Sequence, residues 1–364
     1  MLKKPIAVLG GGNGGHTMAA DLTLAGCEVH FYEHPSFQAS FAPTMKRGCV
    51  ELQGIGRRGV ARIKLITTDI EKALKGVGLI NVVVPAFGHE LFFHQMLTHL
   101  RDEQTVVIWA GDFGSLRLAY LMKEKGIDKK VTVVETNTLP YGTRLREPGV
   151  VECLLLAPQV LFSVLPSVHN QNLMEPLRQL FPAMEAGKNV LMVALSNPNP
   201  IVHPPGSVLS TARIEYTGGD FYMYREGITA AVARVIRQVY EETAALGRAL
   251  GFEVLQYEER DFRTTASIMG VAFQAPFDTL GIIASIKGPK SLEDRYLKED
   301  LPFGLVPMSE LGKKLEVPTP VIDAIVNLGS IICEEDFWTT GRTLKNLGLA
   351  EMSKEEIIRI IEQG

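Results

Sequence analysis

The chain has 364 residues, 46% hydrophobic and 21% charged, with a formal net charge of −4; it is longer than the roughly 250–300 residues a single core usually fills, so two domains are expected. The lack of a basic excess argues against nucleic acid as the main partner and against an electrostatic hold on anionic membranes. No apolar run reaches the roughly 18 residues of a membrane span, no signal-peptide core precedes the first strand, and Cys27, Cys49, Cys153 and Cys333 form no C-x-x-C pair, so a cytoplasmic, reducing location is expected, with no zinc site, no disulfide framework and no membrane partner.

The apolar run Pro5–Leu9 stops in Gly10-Gly11-Gly12-Asn13-Gly14-Gly15 and resumes as an amphipathic helix from His16 to Ala25. Gly10, Gly12 and Gly15 fill the G-x-G-x-x-G positions, a turn in which the backbone approaches a pyrophosphate and the following helix start holds its charge. A second strand, Glu28–Tyr32, ends in Glu33, placed to accept hydrogen bonds from ribose hydroxyls and to repel a 2′-phosphate. The turn from Gly10 to Gly15, Asn13 and Gly14 included, is the expected cofactor site with Glu33. NAD is favoured and NADP left open; FAD proteins use a similar turn.

Further strands are expected at Ile63–Ile66, Leu79–Val84, Val106–Ala110 and Val131–Glu135, an alternation with helical stretches that builds a parallel sheet. Val151–Leu156 and Gln159–Leu165 read as additions to the same sheet. His89, His94 and His99 recur every five residues, a spacing that spreads them around a helix and gathers no metal site. From about Asn189 the period becomes helical. Val232, Val235, Ile236, Val239 and Leu246 form a stripe over Thr229–Leu250, Thr319-Pro320 opens another helix, and Ser353 with Glu356 makes a capping box. The expected architecture is a doubly wound Rossmann domain, residues 1–188, followed by a helical domain, residues 189–364. The long helix can bury an interface as readily as a core, which admits a homodimer.

Ligands of open parallel sheets bind at the carboxyl ends of the strands, and two such domains should enclose a cleft. Three segments are candidates to line it: Val84–His89, which brings Pro85 to the cofactor; Glu135–Arg144; and Ser196–Gly206, which reads as an interruption of the first helical stretch. Within the third, His203 is flanked by prolines and preceded by asparagines, and an imidazole with a pKa of about 6.5 can exchange a proton with a carbonyl oxygen as hydride moves. Similarity to two-domain hydroxy-acid dehydrogenases, which use a lysine at a similar interdomain position, implies Lys188 as the runner-up acid, with Asn189 beside it.

Three stretches carry a resemblance: Asn-Pro-Asn-Pro-Ile-Val-His-Pro-Pro (197–205), Glu-Thr-x-x-Leu-Pro-Tyr-Gly-Thr-Arg (135–144), and Arg295 to Pro307. Together they resemble the octopine/nopaline dehydrogenase family of opine dehydrogenases, over a span that runs from the glycine turn to Gly341-Arg342-Thr343-Leu344. The resemblance implies an NAD(P)H-binding Rossmann domain, a helical domain that completes the active site, and reductive condensation of an amino acid with a 2-oxo acid. It places the catalytic histidine on His203, its partner on Asp300, and a carboxylate anchor on Arg295. Glu299 is an alternative partner for the histidine, and Arg295 can equally be a solvated ion-pair residue. Tyr141 and Asn199 are second-rank candidates for substrate contact, with Phe273, Pro276 and Phe277 shaping the pocket. Two rivals remain open: a ketopantoate-reductase-like or other 2-oxo or hydroxy-acid dehydrogenase that needs no amine, and a nicotinamide-sensing protein without chemistry.

Overall fold

A computed structural model describes residues 4–256 and 286–364. Phe273, Pro276 and Phe277 lie outside the described residues. The chain divides into two compact units, Met1–Val190 and Leu191–Gly364. No helix among the described residues is long and apolar enough to cross a membrane.

The first unit runs β1 (Ile6–Leu9), α1 (Asn13–Leu24), β2 (Val29–Tyr32), α2 (Gln38–Arg47), β3 (Val50–Gly54), β4 (Gly59–Ala61), β5 (Leu65–Thr67), α3 (Ile70–Leu74), β6 (Leu79–Val82), α4 (His89–Leu97), β7 (Thr105–Ile108), α5 (Gly114–Glu124), β8 (Thr132–Thr136), β9 (Tyr141–Glu147), β10 (Val150–Leu156), β11 (Val160–Leu165), α6 (Asn170–Leu180) and β12 (Met184–Ala186). The large sheet has the order β12-β11-β8-β7-β6-β1-β2-β5, and every neighbour from β5 to β8 pairs in parallel. Strands β1, β2, β6 and β7 are buried along their whole length, which is why they read as short continuous apolar runs. Asn81, a polar residue buried on β6, is satisfied: its amide donates to the Ala7 carbonyl and its oxygen accepts from Trp109 Nε1, at 3.2 and 3.0 Å. The order in which strands are added reverses between β1 and β6, so the ligand crevice of this parallel sheet lies at their carboxyl ends.

One expected strand belongs elsewhere. β10 does not extend the large sheet; it joins a second sheet of order β4-β3-β10-β9, parallel to β3 and antiparallel to β9. Leu156, at its end, is 44% exposed, and a strand with one open face does not suit a sheet covered on both sides. β11 does join the large sheet, antiparallel to β8.

The second unit is helical, and α7 (Val190–Leu195) crosses into it. The next helix, α8 (Pro198–Val208), is the stretch expected to interrupt a helix. Its prolines are tolerated for local reasons. Asn197 caps the start by accepting the Asn199 N–H at 3.0 Å, and Pro198 and Pro200 occupy the first turn, where no N–H is required. Pro204 and Pro205 lie inside the helix and withhold the N–H groups that the carbonyls of Pro200 and Ile201 would otherwise receive.

After α9 (Thr211–Thr217) comes α10 (Ala230–Ala249), which Thr229 caps through the Val232 N–H and whose residues Val232, Ile236, Val239 and Leu246 are buried. The helix Pro320–Ile332 starts where Thr319-Pro320 indicates, but Thr319 donates to Asp323 while the buried Glu242 of α10 accepts the N–H groups of Val321 and Ile322. The capping box at Ser353 has both of its bonds. Two π-helical turns, Met223–Gly227 and Asp300–Leu305, complete the unit.

The turn after β1 has no room for side chains. A Cβ on Gly15 would lie 1.7 Å from the Gly10 carbonyl oxygen, and one on Gly10, whose φ is +110°, would lie 2.4 Å from that of Val83. Gly15→Ala should therefore lower stability by about 1–3 kcal/mol through overpacking, read as a lower urea midpoint with an unchanged m-value.

Candidate active site

In the first unit the glycine turn leaves backbone open where a dinucleotide would need it. A Cβ on Gly12 would meet nothing within 4 Å, and α1 begins with no side-chain cap, so its first N–H groups can receive an anion. Gly14 is half-buried beside Val83 and Leu139. Glu33 is buried at the carboxyl end of β2, its two oxygens accepting the N–H groups of Gly11 and His34, each at 2.7 Å. Burial raises its pKa, and those two bonds oppose the rise. Pro85 is exposed at the head of the turn after β6. An open backbone, an uncapped helix and a carboxylate at the second strand's end fit the pyrophosphate and ribose of a dinucleotide.

Two candidates turn elsewhere. The side chain of Asn13 accepts the Leu145 N–H at 2.7 Å, which ties α1 to β9. Tyr141 is 6% exposed, and its hydroxyl donates to Asp21 at 2.8 Å, with Arg57 on the other carboxylate oxygen at 2.9 Å. That phenol ties the small sheet to α1. Lys188 is exposed and Asn189 buried in the segment before α7.

Glu135, at the carboxyl end of β8, carries no signal beyond its place in a candidate segment. It is wholly buried and accepts the N–H groups of Phe113 and Ser115 and the Ser115 hydroxyl. The loop it grips holds three non-glycine residues at positive φ, Ala110, Asp112 and Phe113, each costing about 1–3 kcal/mol.

In the second unit the two halves of the expected dyad meet. His203, on α8, and Asp300, first residue of a π-helical turn, are both fully buried, with Nδ1 and Oδ2 2.8 Å apart. The turn lies tightly on the helix, since a Cβ on Gly304 would come within 2.4 Å of Pro200. The other carboxyl oxygen, Oδ1, is buried without a hydrogen-bond partner among the described residues. Burial pushes Asp300 up to about 8, against the pull of the Arg295 charge, and holds His203 well below its ordinary value. Both shifts favour a pair that carries one proton and no net charge.

Glu299 does not take the partner's role; it lies 3.5 Å from Arg295. Arg295, its side chain 43% exposed, also stands over the Tyr296 ring at 5.2 Å. Asn199 is half-buried one helical turn before His203, on the same face of α8.

The cluster also holds two tyrosines given no role by the sequence: Tyr224, outside every candidate segment, and Tyr296, inside the Arg295–Pro307 stretch. The Tyr224 hydroxyl, on the other π-helical turn, is 2.8 Å from His203 Nε2 and 3.3 Å from the Tyr296 hydroxyl. The Tyr296 ring stacks on the imidazole at 3.7 Å and 8°. π-helical turns often mark functional sites, but their single extra residue leaves no periodic trace.

Comparison with known proteins follows the same division. A family described as NAD-dependent glycerol-3-phosphate dehydrogenase N-terminus matches residues 5–134, and one described as NAD/NADP octopine/nopaline dehydrogenase, alpha-helical domain, matches residues 186–333. An opine dehydrogenase from Arthrobacter sp. strain 1C is 33% identical over 364 residues, covering 99% of each chain. The chain belongs to the opine dehydrogenase family. That family consists of NAD(P)-dependent oxidoreductases acting on CH–NH bonds. The fold is shared with octopine dehydrogenase in complex with NADH and L-arginine, at 21% identity, TM-score 0.70 and 97% coverage of both chains. Yersinopine dehydrogenase with NADP+ bound gives 16% identity and a TM-score of 0.71, over 99% of this chain and 98% of the other.

The coupled dyad sets a pH dependence of stability. A raised carboxyl pKa alone contributes stability that is lost as pH climbs toward 8, and a lowered imidazole pKa alone contributes the opposite. Between about 4 and 6.5 the folded and unfolded pairs each carry one proton and the slopes cancel; from about 6.5 to 8 only the folded pair is protonated. Stability should therefore fall by about 1 kcal/mol between pH 6.5 and 8, and Asp300→Asn should flatten that segment; urea denaturation at the two pH values measures both.

Proposed function

We propose that this chain catalyses the NAD(P)H-dependent reductive condensation of an amino acid with a 2-oxo acid, and the reverse oxidation. Family membership supports the reaction type. The observation that carries the residue roles is the sealed His203–Asp300 pair with Arg295 beside it. Attack of the amine on the oxo carbon gives a carbinolamine, whose hydroxyl must be protonated to leave as water. The dyad supplies that proton in the forward direction and recovers it in reverse.

Asp300 is the residue that fixes the imidazole's tautomer and shares its proton, as a carboxylate does for histidine in other enzymes. Arg295 offers a planar, partly exposed fork to a substrate carboxylate, and Asn199 lines the same face. Gly10, Gly12, Gly14, Gly15, Glu33 and Pro85 hold the dinucleotide, Asn13 contributing through its backbone at the start of α1. NADH, when bound, supplies the hydride. The Glu33 carboxylate repels a 2′-phosphate, so NADH is the expected choice over NADPH.

The test is NADH oxidation with 2-oxo acids in the presence and absence of an amino-acid panel. Turnover that requires both partners is expected; turnover indifferent to the amine would instead identify a 2-oxo-acid reductase. His203→Ala should lower kcat by about 10²–10⁴-fold with NADH binding retained, and binding without any turnover in the wild type would favour a sensor. The two directions should also respond oppositely to pH. Condensation should fall, and oxidation rise, as pH passes the dyad's value of about 8, which initial rates in each direction would show.

A further inference from the structure

The proton-exchanging atom of the dyad is covered. With Nδ1 on Asp300, Nε2 is the atom left to trade protons, and the Tyr224 hydroxyl sits on it at 2.8 Å while the imidazole is fully buried. Tyr296 closes the ring's face at 3.7 Å and gives the same hydroxyl a second contact at 3.3 Å. Among the described residues, the Tyr224 hydroxyl is the hydrogen-bond partner of Nε2.

We propose that the Tyr224 hydroxyl is a proton relay between His203 and the substrate, a role that rests on the condensation reaction proposed above. When the dyad holds its proton, Nε2 bears hydrogen in either tautomer and donates to Tyr224 Oη, leaving the phenol O–H free to point onward. On delivery, the Tyr224 O–H bond breaks as the carbinolamine hydroxyl gains hydrogen and departs as water. The Nε2 proton re-forms the O–H bond, and the carboxyl proton of Asp300 moves to Nδ1. The phenol begins and ends neutral, the dyad ends with one negative charge on Asp300, and no oxidant or reductant is consumed. With the dyad emptied, Nε2 is a bare acceptor and Tyr224 donates to it, so the direction of this one hydrogen bond reports the state of the pair. Burial, which holds the Tyr224 pKa well above its ordinary value, keeps the phenol from resting as an anion. Tyr296, which stacks on the ring and makes its hydrogen bond to Tyr224 instead of to Nε2, is a positioning residue.

Tyr224→Phe removes the relay and keeps the ring. The expected result is a kcat for condensation lower by about 10²-fold or more, with KM for both substrates and NADH affinity within about threefold of the wild type. Single-turnover rates in H2O/D2O mixtures should curve in the wild type, as more than one proton moves together. In the unliganded protein, the 15N resonance of His203 Nε2 should shift in the variant, since its hydrogen-bond partner is gone. A variant with wild-type kcat, a defect confined to KM, an unmoved Nε2 resonance, or a linear isotope plot in the wild type would each overturn the relay; the last needs no variant and stands even if Tyr224→Phe does not fold. A wild type that never turns over with any amine and oxo acid removes the proposed function and the relay together. Turnover that Tyr224→Phe matches removes the relay alone.

Discussion

Two ionisable side chains 97 residues apart in sequence are sealed together in the helical unit with no exposed surface, and the rest of that unit is built around the cost of doing so. An isolated carboxylate or imidazolium at such a depth is penalised by several kcal/mol. The penalty is avoided if the pair carries one proton between them, and a 2.8 Å contact enforces that sharing. Close approach is needed on every side. Gly304 lets the π-helical turn settle on Pro200, and Tyr296 fills the face of the ring. Prolines at 204 and 205 hold the backbone of α8 around the histidine with no N–H of their own to satisfy.

Elsewhere, carboxylates drawn from distant elements satisfy backbone N–H groups at turns and helix starts. Glu33 does this for Gly11, Glu135 for the start of α5 and Glu242 for the helix Pro320–Ile332. In each case the protein's own anion occupies the place a ligand anion would otherwise take, and with the last two those helix starts are closed to ligands. The start of α1 is treated differently. It follows an open Gly12 and has no side-chain cap, which reserves its dipole for a charge from outside the chain.

These contrasts explain what could be read from the sequence. Short apolar runs between helical stretches were enough for the doubly wound sheet, because full burial of β1, β2, β6 and β7 leaves little choice of residue. The glycine turn was legible because sterics at Gly10 and Gly15 admit nothing larger. β10 was misplaced because an apolar run reveals burial but not its partner strand, and α8 because prolines are read as helix breakers when a capping asparagine and first-turn positions make most of them harmless. His203 stood out by its proline-flanked context, whereas Asp300 and the pairing emerged only from family resemblance, since that pairing is a long-range contact without a periodic signature. Tyr141 shows what a motif leaves out: its place in a recognised segment says nothing of the hydrogen bond from its hydroxyl to Asp21. Tyr224 was invisible, as an aromatic residue in a helical domain ordinarily reads as core, and Tyr296, though inside a recognised stretch, drew no role for the same reason.

The charge beside the dyad ties the two halves of the proposed chemistry together. Arg295 lowers the proton affinity of both His203 and Asp300 through its positive field. A substrate carboxylate seated on that guanidinium would cancel much of the field, and the pair would then hold its proton more tightly. Under the proposed roles, substrate binding and proton uptake would thereby be coupled by electrostatics: the acid would be best loaded when there is something to protonate. The same coupling runs backwards, because a protonated pair leaves Arg295 facing one negative charge fewer and strengthens its hold on the carboxylate. Glu299, 3.5 Å from the guanidinium, moderates the effect by keeping part of that charge engaged when no substrate is present.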